Sequence, residues 1–316
     1  MTENITTIRT TTRKYYDRPS LLDGVGNTPL FRLNRITSDV PEHVEIFAKA
    51  EWFNPSGSSK DRPASQIIQK ALSTGELHPG KVLLDSTSGN MGIAYATFGS
   101  ALGIPIHLAI PSNASQQRIQ ILRALGADLI LTDPLEGSDG ARVVAAEIAT
   151  KNPEKFFFAN QYNNPENWKA HYASTGPEIL AQTSGHITHF VAGLGTSGTM
   201  MGAGRYFHDH AQGVRLIAIQ PNELIHGLEG LKDMQTSHHP EIFDPSLPDE
   251  TIKVNTEEAY RMARKLAKEE GLLVGISAAA AVSAALQVAR KINQGLIVVL
   301  LPDSAQKYLD LPFWSE

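Results

Sequence analysis

The sequence contains no cysteine, and this absence removes several kinds of chemistry at once. Without thiols the chain cannot form a disulfide, a thiolate metal site or a cysteine nucleophile, and a cytoplasmic location is the default expectation. The adjacent pair His238 and His239 precedes a proline and is expected in a solvated loop. We therefore predict no metal site.

The sequence also lacks an apolar run near the roughly 20 residues that a membrane span requires, and its N-terminus lacks the order of a secretory signal. The formal net charge is -5, with no cluster of lysine and arginine. We expect a small-molecule partner, and neither nucleic acid nor a membrane. The N-terminal TTIRTTTRKYYDR is basic and threonine-rich, which is compatible with a transit peptide, but a frayed N-terminus is favoured.

Short apolar runs alternate with segments of helical period along the 316 residues. The predicted strands are VEIFAKAEW, VLLDSTS, IHLAIP, ADLILT, FFFANQ, THFVAGLG, RLIAIQP and LIVVLLP. The predicted helices are residues 60–73, 91–102, 115–125, 139–150, 165–182, 200–210, 257–270 and 278–292. Apolar runs followed by crossover helices indicate parallel sheets covered on both faces, and the irregular spacing favours open sheets over an eight-fold barrel. The predicted fold class is α/β.

Three loops at predicted strand ends have unusual compositions. NPSGSSKDRPAS places the long amine of Lys60 at a helix start, where the helix dipole disfavours a positive charge. STSGNMG, residues 86–92, offers backbone and side-chain donors suited to a carboxylate. GLGTSGTMMGAG, residues 193–204, lets a backbone approach a phosphate at a helix N-terminus, although it is neither a Walker loop nor a dinucleotide loop.

Each loop alone has an ordinary structural explanation, because glycine-rich turns and surface lysines are common. Together they indicate pyridoxal phosphate. In that interpretation Lys60 binds the cofactor, residues 195–199 hold its phosphate, and residues 87–90 hold the carboxylate of an amino acid.

The motifs of the chain, in order, resemble those of the cysteine synthase family, which comprises pyridoxal-phosphate enzymes of fold type II, and especially its cysteine synthase B branch. The resemblance covers nearly the whole chain through LLDGVGNTPLFRL, NPSGSSKDRPA, STSGNMGIAYA, ANQYNNPEN, HYASTGPEIL, THFVAGLGTSGTMMGAGRYF, EEGLLVGIS and LLPDSAQKYLDL. It implies two lobes, each an open, mostly parallel twisted sheet flanked by helices, as in the tryptophan synthase β fold. Residues 53–164 would form the smaller, mobile lobe, and residues 1–52 and 165–316 the larger one.

The resemblance also implies roles for individual residues. Lys60 would bind the cofactor and move the substrate α-proton. The residues implied in cofactor binding are Lys60, Asn90, Gly195, Thr196, Ser197, Gly198, Thr199 and Ser277, the last facing the pyridine nitrogen. The residues implied in substrate binding are Thr87, Ser88, Gly89, Asn90, Met91 and Gln161.

The activity implied is β-replacement through an α-aminoacrylate, giving L-cysteine from O-acetyl-L-serine and sulfide or a related sulfur donor. The loop NELIHGLEGLKD, residues 222–233, contains no arginine for a phosphate ester, which favours the acetyl ester over O-phosphoserine. Family members are commonly dimers, so a homodimer is expected, and docking of a serine acetyltransferase stays open.

Three features depart from the family pattern: Met91 replaces a threonine, alanines follow Ser277, and PDSAQKY replaces a glycine-bearing turn. Helix packing and a changed substrate explain Met91 equally well. The alternatives are an O-phosphoserine-dependent cysteine synthase, a synthase of another β-substituted alanine such as a diaminopropionate precursor or cystathionine, an amino-acid dehydratase, and a non-catalytic partner protein.

Overall fold

The computed structural model describes residues 20–87, 89–223, 225–235 and 239–315. The segment considered as a transit peptide therefore lies outside the described residues, as do Ser88 and His238. None of the described helices combines the length and the apolar character needed to cross a membrane.

The described strands form a larger and a smaller sheet. They are β1 (Leu30–Arg32), β2 (His43–Ala50), β3 (Val82–Ser86), β4 (Ile106–Pro111), β5 (Asp128–Thr132), β6 (Phe156–Phe158), β7 (His189–Gly193), β8 (Arg215–Pro221), β9 (Glu250–Val254) and β10 (Gln294–Leu301). The larger sheet has the order β1-β2-β10-β7-β8-β9, and the smaller has the order β5-β4-β3-β6. β1 pairs antiparallel with β2, and the other pairings among these strands are parallel.

The helices cover both sheets. They are α1 (Asp61–Thr74), α2 (Asn90–Leu102), α3 (Gln116–Ala124), α4 (Gly137–Lys151), α5 (Glu166–Ala173), α6 (Thr175–Gln182), α7 (Gly198–His210), α8 (Thr256–Lys265) and α9 (Ile276–Ala289). The prediction of an α/β fold with two mostly parallel, helix-flanked sheets is confirmed. The smaller sheet falls within the predicted lobe of residues 53–164, but the lobe boundaries stay a prediction.

One predicted helix, residues 165–182, is two helices that meet at Ser174. The backbone of Ser174 is non-helical, with φ -131° and ψ -60°. Pro177 lies three residues further on, and a proline inside a helix lacks the N–H for the carbonyl four residues earlier and clashes with it. Pro177 therefore explains the break. The helical period of the flanking residues predicts a continuous helix in spite of this proline.

The alanines that follow Ser277 are explained by packing. Ala278 to Ala281 are almost completely buried in α9, in a core shared with Val191 of β7 and Val299 of β10. Small side chains on α9 let the helix lie close to the larger sheet, so this departure from the family pattern requires no change in chemistry.

A buried network of charges fixes the start of α1. Arg62 donates to both carboxylate oxygens of Glu51, at 2.7 and 2.8 Å, and to both of Glu178, at 2.7 and 2.8 Å. Lys49 donates to Glu178 at 2.7 Å and to the carbonyl of Thr28 at 2.7 Å. The side chains of Arg62 and Glu51 are 1% and 0% exposed, so the pair is desolvated and each charge depends on its partners.

Replacing Arg62 with methionine removes the donor that Glu51 and Glu178 share. We expect the free energy of unfolding, measured by urea titration, to fall by about 3–5 kcal/mol, because the buried carboxylate of Glu51 loses its paired cation while Glu178 keeps only Lys49. The control is Glu147→Gln, which breaks an exposed pair with Lys151 on α4 and should change stability by less than about 1 kcal/mol. Equal losses in the two variants would contradict this account of the network.

Candidate active site

A cavity of about 330 Å³ lies where the carboxyl ends of β3, β7 and β10 meet the start of α1. This is the edge at which open parallel sheets bind ligands. The predicted site residues that line it are Lys60, Thr87, Gly89, Asn90, Met91, Gln161, Gly195, Thr196, Ser197, Gly198, Thr199 and Ser277. Ser88 is the one predicted site residue outside the described part of the chain.

Lys60 stands immediately before α1, in a loop that the end of β10 holds in place. The N–H of Ser59 donates to the carbonyl of Pro302 at 2.8 Å, and Ser58 forms a β-bridge with Asp303. Burial lowers the pKa of Lys60, and the negative charges of Asp303 and Glu51 raise it in part. A larger fraction of Lys60 is therefore in the neutral form, which is nucleophilic and basic, than for an exposed lysine.

The loop before α7 has the shape of an anion site. A Cβ added to Gly195 would lie 2.2 Å from the carbonyl oxygen of Gly230, and one added to Gly198 would lie 2.0 Å from Oδ1 of Asn167. A residue with a Cβ at either position would overlap these neighbouring atoms. Ser197 has a φ of 66°, and its buried hydroxyl has no hydrogen-bond partner among the described residues. An unpartnered donor at the N-terminus of a 13-residue helix suits a phosphate.

His171 supports this loop from behind, a contact that the sequence did not reveal. Its Nε2 lies 3.3 Å from Oγ1 of Thr199, and its Nδ1 lies 2.8 Å from Oγ1 of Thr175. Burial, helped by the positive charge of Arg62, lowers the pKa of His171 to about 3. Helix α6, strand β7 and a loop separate His171 from Thr199 along the chain, so no local sequence pattern links the two residues.

Asn90, at the start of α2, is held at both ends of its side-chain amide. Its Nδ2 donates to Oδ2 of Asp303 at 2.8 Å, and its Oδ1 accepts from Lys307 at 2.6 Å. Tyr308 donates to the same oxygen of Asp303 at 2.7 Å. These partners lie in the segment PDSAQKY, which departs from the family pattern, so that segment orients Asn90.

The other substrate-binding candidates differ in how they are held. Gln161 donates from its backbone to Asp85 at 3.2 Å and from Nε2 to the carbonyl of Ser86 at 3.1 Å. Met91 is 2% exposed and belongs to the hydrophobic cluster packed on the smaller sheet while also lining the cavity. Packing thus accounts for Met91, and its contact with substrate stays a prediction.

Two ion pairs include residues that line the cavity. Arg118 of α3 donates to Glu229 through both guanidinium ends, and the Nη2 to Oε2 distance is 2.6 Å. Lys232 lies 3.3 Å from Asp139 of α4. Residues 222–233 contain no arginine, as predicted, but Arg118 lines the same cavity from α3.

The low pKa of His171 gives a testable pH dependence. The unfolded chain protonates this histidine near its ordinary pKa of 6.5, whereas the folded protein does so only near 3. The free energy of unfolding therefore falls as the pH is lowered from about 6.5 to 3, with a slope of up to about 1.4 kcal/mol per pH unit. Urea titrations from pH 7 to 5 should show a steeper loss in the natural protein than in His171→Asn, and parallel slopes would contradict the assignment.

Taken together, these groups fit pyridoxal phosphate. Residues 195–199 could hold its phosphate, Lys60 supplies an amine for its aldehyde, and Ser277 lines the cavity at the start of α9. The buried hydroxyl of Ser197, which has no partner among the described residues and lies at the N-terminus of α7, is a donor that a bound phosphate would use.

Comparisons with known proteins lead to the same cofactor. The family model described as pyridoxal-phosphate dependent enzyme matches residues 21–303. The chain is 50% identical over 304 residues to a cysteine synthase of Aquifex aeolicus, covering 95% of this chain and 93% of that protein. It is 40% identical over 292 residues to cysteine synthase B of Escherichia coli, covering 92% and 95%. The crystal structure of a cysteine synthase from Entamoeba histolytica superposes with a TM-score of 0.90 at 33% identity, covering 99% of this chain and 95% of that one.

The family model matches most of the chain, and these relatives are similar along almost their whole length. Both findings agree with the cavity and its lysine. The chain belongs to the family of pyridoxal-phosphate-dependent enzymes.

Proposed function

We propose that the protein makes L-cysteine by replacing the acetyl ester of O-acetyl-L-serine with sulfide. The observation that carries the proposal is the meeting of Lys60, the carboxylate loop and the phosphate loop in one cavity. The proposal is also supported by a relative that is 50% identical to this chain and is a cysteine synthase. In the net reaction the Cβ–O bond breaks, acetate leaves and a Cβ–S bond forms. One proton of hydrogen sulfide stays on the sulfur of cysteine, and the other is released with acetate.

Lys60 is the proposed catalytic base. When bound, pyridoxal phosphate supplies an aldehyde that an amine can hold and a conjugated ring that withdraws electrons from the substrate α-carbon. The Nζ of Lys60 removes the proton at that carbon and returns it after sulfide has added. Its lowered pKa makes the neutral amine available for this work.

The remaining site residues bind and orient. We propose that Thr87, Gly89 and Gln161, which line the cavity, donate to the carboxylate of the amino acid, and that Asn90, which Asp303 orients, would bind the 3'-oxygen of the ring. Ser277 would face the ring nitrogen with a neutral hydroxyl. Unlike a carboxylate, that group does not keep the nitrogen protonated, which favours expulsion of the β-substituent over transamination.

Closure of the smaller lobe, residues 53–164, on residues 1–52 and 165–316 would exclude water from the reacting carbon. The pairs Arg118–Glu229 and Lys232–Asp139 support this proposal, because each joins a helix of the smaller lobe to the loop of residues 222–233. A cytoplasmic location, assembly as a homodimer and docking of a serine acetyltransferase stay predictions drawn from the sequence and the family resemblance.

Replacing Lys60 with alanine should abolish nearly all formation of cysteine from O-acetylserine and sulfide, because one residue supplies both the covalent link and the proton transfer. Borohydride treatment followed by peptide mass analysis should find the cofactor on Lys60 in the natural protein and on no residue of the variant. The control Lys151→Ala alters an exposed lysine of α4 and should retain full turnover. A Lys60→Ala protein with the turnover of the natural protein would show that another group does this work.

A further inference from the structure

The wall of the cavity contains a permanent cation whose charge is already compensated. Arg118 is 6% exposed, and both ends of its guanidinium donate to the carboxylate of Glu229. The same guanidinium lies 5.3 Å from the ring centre of Tyr308. An arginine fork of this kind is the donor that best matches a carboxylate or a phosphate.

Glu229 is held in place by its loop. The N–H of Glu229 donates to the carbonyl of Gly227 at 2.9 Å, and the N–H of Lys232 donates to the carbonyl of Leu194 at 2.8 Å. The second of these bonds ties the loop to the residue that precedes the phosphate loop. The negative charge of Glu229 is therefore a fixed part of the cavity lining, beside the phosphate loop and opposite α3.

We propose that Glu229 is a specificity-determining residue that occupies Arg118 and thereby excludes doubly charged serine esters from the cavity. This inference rests on the proposed function and deepens it. A phosphate ester entering the cavity must displace Glu229 from both donors of Arg118 and then lie beside a carboxylate of the same sign, which is unfavourable even though the side chain of Glu229 is 43% exposed. An acetyl ester is uncharged and meets neither obstacle.

Removing the charge of Glu229 while keeping its size should expose the guanidinium. In Glu229→Gln, Arg118 can donate to a phosphate, and charge-assisted hydrogen bonds of this kind correspond to roughly a 10-fold to 100-fold gain in affinity. The ratio of kcat/KM for O-phosphoserine to that for O-acetylserine, measured at a fixed sulfide concentration, should rise by at least about tenfold. In the double variant Arg118→Gln/Glu229→Gln the gain should disappear, because the cation that produces it is gone.

The control is Glu147→Gln, which removes one carboxylate from the exposed face of α4 and should leave the ratio unchanged. Calorimetry of O-phosphoserine binding in the Lys60→Ala background, in which the ester is not eliminated, gives a readout that does not depend on turnover. Glu229→Gln in that background should bind the ester at least about tenfold more tightly than Lys60→Ala alone does. An unchanged ratio and an unchanged dissociation constant in Glu229→Gln would overturn the inference, and so would a gain that survives in the double variant. If the natural protein forms cysteine from neither ester, the proposed function fails, and the calorimetric comparison still decides the role of Glu229.

Discussion

The buried ion network around Arg62 is the constraint on which the position of Lys60 depends. Arg62 lies two residues after Lys60 and is held from both sides, by Glu51 immediately after β2 and by Glu178 of α6. The loop before Lys60 is fixed separately by the bond from Ser59 to Pro302. A buried ion pair adds little net stability compared with apolar packing, but its geometry is demanding. In this protein that geometry fixes the helix start from which the reactive amine projects.

The same principle of compensated charge extends through the cavity. Asp303 faces Lys60 and receives hydrogen bonds from Asn90 and Tyr308, and Glu229 compensates Arg118. The N-termini of α2 and α7, at Asn90 and Gly198, add the positive ends of two helix dipoles to the cavity lining. Such a distribution suits a substrate with one carboxylate and an uncharged leaving group, bound beside a phosphorylated cofactor.

Much of the fold was predictable, because strands buried on both faces and crossover helices leave clear patterns, as at IHLAIP and RLIAIQP, which match β4 and β8 residue for residue. The sequence does not predict the short β1 or the half-exposed β9, since these two edge strands lack such apolar runs. The cavity brings together the predicted site residues that the structure describes. The contacts of His171 with Thr199 and of Arg118 with Glu229 join residues 28 and 111 positions apart, and no local pattern encodes such pairs.

The central claim is that cysteine forms by loss and return of the α-proton through Lys60, and isotope exchange tests it most directly. The cofactor-loaded protein is supplied with O-acetylserine and sulfide in deuterated water, and the cysteine formed is examined by NMR and mass spectrometry. Because the protons of an amine exchange with solvent before sulfide adds, the account predicts deuterium at the α-carbon of the product. Cysteine that keeps its original α-proton throughout would mean that sulfide displaces the ester directly, and it would contradict the account.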